Sequence, residues 1–306
     1  MRASGAIAIV GARGQLGQDL CRAFGARAVP LGHQEIELRS RPSVHAAIRR
    51  VAPEAVVNVA AYNLVDRAED EPEAAFAVNA CGVRYLAEVC AELNVPLVHF
   101  STDYVFGRDA QRSEPYSETD LPGPVNCYGA SKLAGEQLAL LTHEQVYVLR
   151  TCGVYGLHGR GGKGTNFVET MLRLGAERPE IRVVADQRCT PTFSEDLAAA
   201  VVELVDARPP CGLYHLTNAG QCSWYEFAAA IFELSGLAVR CTPIPSEAYP
   251  TRARRPRFSV LSNRKWQAAG LRPLRPWRSA LEAYLQQRGR LNQSGHQPTA
   301  PGAPSA

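Results

Sequence analysis

The chain has 306 residues, 46% of them hydrophobic and 21% charged, with 33 basic against 30 acidic side chains and a formal net charge of +3. A chain of this length buries roughly three quarters of the surface it exposes when unfolded, so it needs no disulfide staples, and its composition excludes disordered, collagen-like and coiled-coil classes. No run of five like charges occurs, and the nearest basic cluster, Arg252, Arg254, Arg255 and Arg257, is interrupted by Pro256, so no nucleic acid is expected as a partner.

Short apolar runs at 7–10, 28–29, 55–57, 97–100 and 146–149 read as strands buried on both faces. Helical patterns separate them at 16–24, 42–51, 72–93 and 128–141, and Pro42 and Pro72 stand where a first-turn proline belongs. The alternation predicts an α/β fold, a doubly wound parallel-sheet Rossmann domain with a smaller C-terminal substrate-binding lobe. After Arg150 the texture changes. Five glycines between 156 and 164 predict a loop, in the position of a lid, and helices follow at 166–175, 194–205 and 223–234, with a polar connection at 186–193. Prolines recur over 241–256, a last helix is expected at 276–287, and the Gly-, Pro- and Ser-rich residues 289–306 are expected to be disordered. The expected division is 1–155 for the dinucleotide-binding domain, with 181–205 returning to it, 156–288 mainly for the substrate lobe, and 289–306 as tail.

Three constellations carry chemistry. Gly11-Ala12-Arg13-Gly14-Gln15-Leu16-Gly17 follows the first strand and opens the first helix. Glycines at that spacing let the backbone approach a pyrophosphate at a helix N-terminus, although a tight turn needs them too. The second strand ends in Leu31-Gly32-His33, without the carboxylate that clasps an NAD ribose; Arg13 and His33 there face a 2'-phosphate or plain solvent. That favours NADPH, with NADH possible. Next, Ser101-Thr102-Asp103-Tyr104 lies where the fourth strand leaves the sheet, the edge at which such sheets bind ligands, though Ser and Thr also form turns there. Last, Tyr128 and Lys132 are spaced i, i+4 on one helix face. A free phenol titrates near 10, and a nearby ammonium with an oxidised nicotinamide is expected to lower it by up to about three units, which makes a usable acid near neutrality. The chain holds three lysines, Lys132, Lys163 and Lys265, which makes the placing of Lys132 informative.

At this point the sequence resembles the extended short-chain dehydrogenase/reductases and, within them, the dTDP-4-dehydrorhamnose reductase family. Ala60-Ala61-Tyr62 followed by Val65-Asp66-Arg67-Ala68-Glu69 is similar to that family's A-A-Y-T-x-V-D-K-A-E segment, and residues 101–106 match its S-T-D-Y-V-F. Leu133-Ala134-Gly135-Glu136, Asn166-Phe167, Asp186-Gln187, Pro191-Thr192, Ser223-Trp224-Tyr225-Glu226, Arg255-Pro256 and Ser259-Val260-Leu261 follow in the family's order, so the likeness covers residues 6 to about 287. It implies reduction of the 4-keto group of a nucleotide-activated 6-deoxyhexose, foremost dTDP-4-dehydro-L-rhamnose. By the same likeness Thr102 orients the carbonyl, Tyr128 protonates it, and Lys132 supports tyrosine and ribose. Gly11, Arg13, Gly14, Gln15, Leu16, Gly17, Glu37, Leu38, Ala60, Ala61, Tyr62 and Asn79 are implied for the cofactor. Val65, Arg67, Glu69, Asp103, Asn166, Gln187 and Arg255 are implied for the dTDP-sugar.

The chain departs from the family pattern at Cys152 and Gly153, where Ser and Trp are usual, at Asn63 and Arg67, and at Cys189 in place of glycine. Gly153 leaves out a tryptophan expected to border the sugar; Tyr155, Leu157 and His158 are the nearest candidates to fill that space, and otherwise the pocket is wider. Two other readings share the motifs: a sugar-nucleotide epimerase, and a cofactor-binding partner subunit like the regulatory subunit of methionine adenosyltransferase. Nine cysteines without a C-x-x-C pair or a zinc spacing point to reduced thiols, no metal and a cytoplasmic protein. No stretch reads as apolar enough to span a membrane, and a monomer or homodimer is expected.

Overall fold

The computed structural model describes residues 5–158 and 166–294. In the first half, β1 (Ile7–Val10), β2 (Ala28–Leu31), β3 (Ala55–Asn58), β4 (Leu97–Thr102) and β5 (Val146–Thr151) alternate with α1 (Gln15–Phe24), α2 (Arg41–Val51), α3 (Pro72–Phe76), α4 (Gly82–Leu93) and α5 (Cys127–Thr142). In the second half come β6 (Val154–Tyr155), α6 (Phe167–Glu177), β7 (Glu180–Val184), β8 (Arg188–Cys189), β9 (Thr192–Phe193), α7 (Ser194–Ala207) and β10 (Gly212–His215). The chain then adds β11 (Cys222–Ser223), α8 (Trp224–Ser235), β12 (Arg240–Ile244), α9 (Arg264–Ala268) and α10 (Trp277–Ser294).

Six parallel strands form the main sheet in the order β10-β5-β4-β3-β1-β2. Alternation along each strand feeds two cores: Ile7, Ile9 and Leu149 pack with α1, α7 and α9 on one face, whereas Ala8, Val10 and Val148 pack with α2, α4 and α5 on the other. Burying each of the Ile, Leu and Val side chains contributes roughly 1.5–3 kcal/mol. β2 carries Pro30 and lies at the sheet edge, where a missing N–H is tolerated. The strand order reverses between β1 and β3, which opens a crevice at their carboxyl ends.

A third core joins α6, β7, α8 and α10, with β12 pairing β7 in parallel. Within the segment expected to return to the first domain, α7 packs on α1, while β7 stays in the smaller lobe. The edge strand β10 answers to no expected strand. Its sequence Gly-Leu-Tyr-His is short and of mixed polarity, too little for a periodicity argument.

Three expectations differ from the structure. Residues 72–93 do not form one α-helix: a π-helical turn, Ala77–Cys81, separates α3 from α4. By length and composition this segment is apolar enough to cross a membrane, contrary to the sequence reading, yet half of it is buried, and it packs against α2 and α5. The last helix runs on to Ser294, beyond the expected start of a disordered tail. Residues 295–306 of that tail and residues 159–165 of the expected lid, Lys163 included, lie outside the described residues.

Candidate active site

The glycine loop closes on itself because Gly11, Gly14 and Gly17 carry no side chain at its close approaches. Gly11 leaves β1 with φ +86°, and a Cβ there would stand 2.7 Å from the Ala60 nitrogen. A Cβ on Gly17 would run into the Gly11 carbonyl oxygen, and Gly14 caps α1 with its N–H on that same oxygen at 3.0 Å. The loop therefore lies flat against β1 and β3 and turns the N-terminus of α1 toward the crevice, as a pyrophosphate requires. Leu16 is buried behind it, and Gln15 reaches the Val154 carbonyl (3.2 Å). At the end of β2 the Arg13 guanidinium lies near Glu35 (3.6 Å) and donates to Gln34 (3.0 Å), exposed beside Gly32. Glu37 is turned to Arg39, whose guanidinium holds its carboxyl down at about 2, while Leu38 is buried against Gly82.

Beyond β3, Asn79 clamps the loop holding Ala60, Ala61 and Tyr62. It accepts the Tyr62 N–H (2.8 Å) and donates to the Tyr62 carbonyl (3.0 Å) and to Ser131 on α5 (2.9 Å). The π-helical turn is what swings this amide toward two elements at once, a common use of such turns at functional sites.

Thr102 and Tyr128 come together, and Lys132 lies one turn further along α5 with its ammonium on the Phe100 carbonyl of β4. Asn126 caps α5 by accepting the Gly129 N–H (2.7 Å), and a Cβ at 129 would strike the Tyr104 carbonyl, so glycine lets this helix start against the turn that leaves β4. The Thr102 hydroxyl donates to Asp103 Oδ1 (3.1 Å), accepts the Tyr104 N–H (3.1 Å) and hydrogen-bonds the Tyr128 phenol. Burial pushes the Tyr128 phenol up to about 12, against the opposing pull of Thr102. This reverses the expected lowering: in the chain without cofactor desolvation dominates, and the Lys132 ammonium donates to the Phe100 carbonyl (2.6 Å). Lys132 is 2% exposed, and burial brings it down to about 8 although Glu136 pulls the other way. Glu136 is itself anchored by buried Arg150 (2.6 Å) and Ser101.

The residues implied for a sugar are more scattered. Asp103 is buried, with Oδ2 accepting Ser259 (2.6 Å) and Cys152 (3.1 Å), and burial pushes its carboxyl up to about 6. It is a support for Thr102 rather than an open contact. Glu69 accepts the Cys127 N–H (2.7 Å) beside Tyr128, and Arg255 pairs with Asp66 (2.7 Å). Segments 65–70 and 252–255 are thus stitched together around the start of α5, with half-buried Val65 in the same wall and Arg67 turned outward to Glu71 (2.6 Å). Asn166 caps α6 and donates to Gln15 (3.1 Å), tying the smaller lobe to the glycine loop. Gln187 donates to Ser246 (2.9 Å) within the smaller lobe.

None of the three expected side chains fills the space at Gly153. Tyr155 is buried in the third core, stacked on Phe193 at 5.7 Å, Leu157 packs at that core's margin, and His158 sits against Arg22. The indole of Trp224 faces Gly153 instead, with Cη2 3.4 Å from where a Cβ would be. The contacts that sequence reasoning missed, Asn58 and His99 beneath Lys132, carried one signal: an asparagine closing an otherwise apolar buried strand.

A dinucleotide cradle at the switch point and a Thr-Tyr-Lys group beside it define a nicotinamide-dependent oxidoreductase of the extended short-chain type. Residues 5–289 match the model of the RmlD substrate binding domain family. A dTDP-4-dehydrorhamnose reductase of Mycolicibacterium smegmatis is 44% identical over 282 residues, which cover 90% of this chain and 84% of that protein. A spore coat polysaccharide biosynthesis protein of Bacillus subtilis is 43% identical, covering 92% of this chain and 97% of that one. The crystal structure of dTDP-4-dehydrorhamnose reductase from Bacillus anthracis in complex with NADP superposes with a TM-score of 0.88 at 35% identity, covering 93% of this chain and 100% of the other. The chain belongs to the dTDP-4-dehydrorhamnose reductase family.

Proposed function

We propose that this protein reduces the 4-keto group of a dTDP-activated 6-deoxyhexose, dTDP-4-dehydro-L-rhamnose giving dTDP-L-rhamnose, with NADPH as the reductant. The observation that supports the reading is Tyr128 beside Thr102 at the carboxyl end of β4, with Lys132 one turn along α5, next to a glycine loop in which a Cβ at Gly11 or Gly17 would clash. The loop from Gly11 to Gly17 fits the pyrophosphate, Ala60, Ala61 and Tyr62 form the wall held by Asn79, and Arg13 at the end of β2 supplies a cation for a 2'-phosphate. When bound, NADPH supplies a hydride to the carbonyl carbon.

The residues supply everything else. Tyr128, protonated throughout the neutral range, is placed to give its proton to the developing alkoxide, and Thr102 holds the phenol in line. A phenol that keeps its proton favours reduction over the reverse reaction, which needs a phenolate base. Lys132 offers its ammonium to the ribose and the phenol from one turn along α5. For the sugar nucleotide we assign the wall made by Val65, Glu69 and Arg255, with Arg67 at its rim, and Asn166 and Gln187 from the smaller lobe. Nine free cysteines support a cytoplasmic location. The test is oxidation of NADPH with dTDP-4-dehydrorhamnose. Cofactor binding without turnover on any 4-keto sugar nucleotide leaves a partner subunit, and NAD that survives purification indicates an epimerase.

A further inference from the structure

A buried polar chain reaches Lys132 from within the sheet. Asn58 and His99 are register partners on β3 and β4, and neither has any solvent exposure. The Ala60 N–H donates to Asn58 Oδ1 at 3.1 Å, which fixes the amide, because a half-turn would set its NH2 group against that N–H. Nδ2 of Asn58 therefore donates to His99 Nδ1, 3.1 Å away. A ring nitrogen that accepts carries no proton, and burial with Lys132 close by keeps the ring neutral, so its one proton resides on Nε2. Nε2 stands 3.5 Å from Lys132 Nζ. An ammonium has no lone pair to offer this N–H, whereas a neutral amine has one. The Phe100 carbonyl accepts from either form.

We propose that His99, with its tautomer set by Asn58, is a positioning residue that prepares Lys132 to release and regain a proton during each turnover; this rests on the reductase reading above. Once Tyr128 has protonated the alkoxide, a phenolate remains. A proton from the Lys132 ammonium restores the phenol, the amine left behind accepts the His99 Nε2–H, and solvent returns a proton to the amine. One solvent proton thus ends on the product alcohol, and no other group changes state. The titratable and charged groups around this chain are Glu136 on α5, paired with Arg150 on β5, and Tyr128 and Asp103 at the reacting end. Glu136 opposes the effect of burial on the lysine.

The NMR readings use the full chain without sugar. Ring nitrogen NMR should show His99 as the Nε2–H tautomer, and with three lysines in the chain, carbon NMR of labelled lysine follows Lys132 directly, its signal identified by its loss in Lys132→Met. Asn58→Asp keeps the shape and the Ala60 contact, but its carboxylate accepts only, so the ring proton moves to Nδ1 and the Nε2 lone pair is left toward Nζ. Lys132 should then titrate at least about one unit higher, with the alkaline limb of kcat following it. A histidine carrying its proton on Nδ1 in the unaltered protein overturns the proposal. So does an unmoved lysine in a folded Asn58→Asp, or a lysine that moves while the Nε2–H tautomer persists, since the added charge alone then explains the shift. If Asn58→Asp does not fold, the tautomer in the unaltered protein decides. Because the NMR readings need no turnover, failure on the sugar sinks the reductase reading separately.

Discussion

Replacing Gly153 tests what stands in the pocket wall. The glycine has φ +52°, a conformation that costs an L-residue roughly 1–2 kcal/mol. Its Cβ would lie 3.2 Å from Pro191 Cα and 3.4 Å from Trp224 Cη2, so an indole has no free space in which to start. Overpacking of this kind adds about 1–3 kcal/mol, and the sum of about 2–5 kcal/mol corresponds to a fall in Tm of roughly 4–20 °C. Gly153→Ala carries the backbone cost with little of the crowding, so its Tm should lie between those of the unaltered protein and Gly153→Trp. Thermal unfolding of the two variants, with KM for dTDP-4-dehydrorhamnose measured below the transition, reads both effects. Gly153→Trp should melt lower and bind the sugar worse. A Gly153→Trp protein with unchanged Tm and an equal or lower KM refutes the reasoning, because it would mean that an indole-sized gap is open there and that Trp224 does not fill it.

Tyr128→Phe removes a proton donor and almost no packing, so kcat should fall at least about a hundredfold with Tm and NADPH binding retained; near-normal turnover would remove Tyr128 from the mechanism. Lys132→Met should weaken NADPH binding and turnover together, and Tm should hold or rise because a buried charge is gone. If Tm alone moves, the lysine is structural. Asp103 binds its proton more tightly folded, near 6, than at its ordinary 3.8, so its contribution to stability is full below the ordinary value and is lost as pH rises through about 6. The Tm of the unaltered protein relative to Asp103→Asn should therefore be higher at pH 4.5 than at pH 7, and the opposite trend contradicts the assignment.

What the sequence disclosed follows from distance along the chain. The glycine loop, the strand runs and the Tyr128–Lys132 spacing are local patterns, and the parallel sheet with its crevice follows from their order. The supports of the site are not local. Asn58 and His99 are 41 residues apart, Ser259 and Asp103 are 156 apart, and Asn166 reaches Gln15 across 151, so each is an ordinary polar residue until the fold brings its partner. Asp103 and Asn166 stand in motifs that imply sugar contacts, and no motif discloses the hydrogen bonds that tie them to Thr102, Ser259, Gln15 and the start of α6. The break at 77–81 was illegible because Ala, Val and Cys around Asn79 suit an α-helix; the bulge answers to Tyr62 and Ser131, which sequence periodicity does not see.

On the proposed reading, Thr102, Tyr128 and Lys132 serve the reduction of a nucleotide-bound 4-ketosugar by NADPH. The most direct measurement is the loss of NADPH absorbance on mixing the purified protein with dTDP-4-dehydrorhamnose, with the sugar product identified by NMR. Stoichiometric NADPH consumption and dTDP-L-rhamnose are expected, both at least about a hundredfold slower in Tyr128→Phe. Tight NADPH binding with no consumption on this or any other dTDP-4-keto-6-deoxysugar would contradict it.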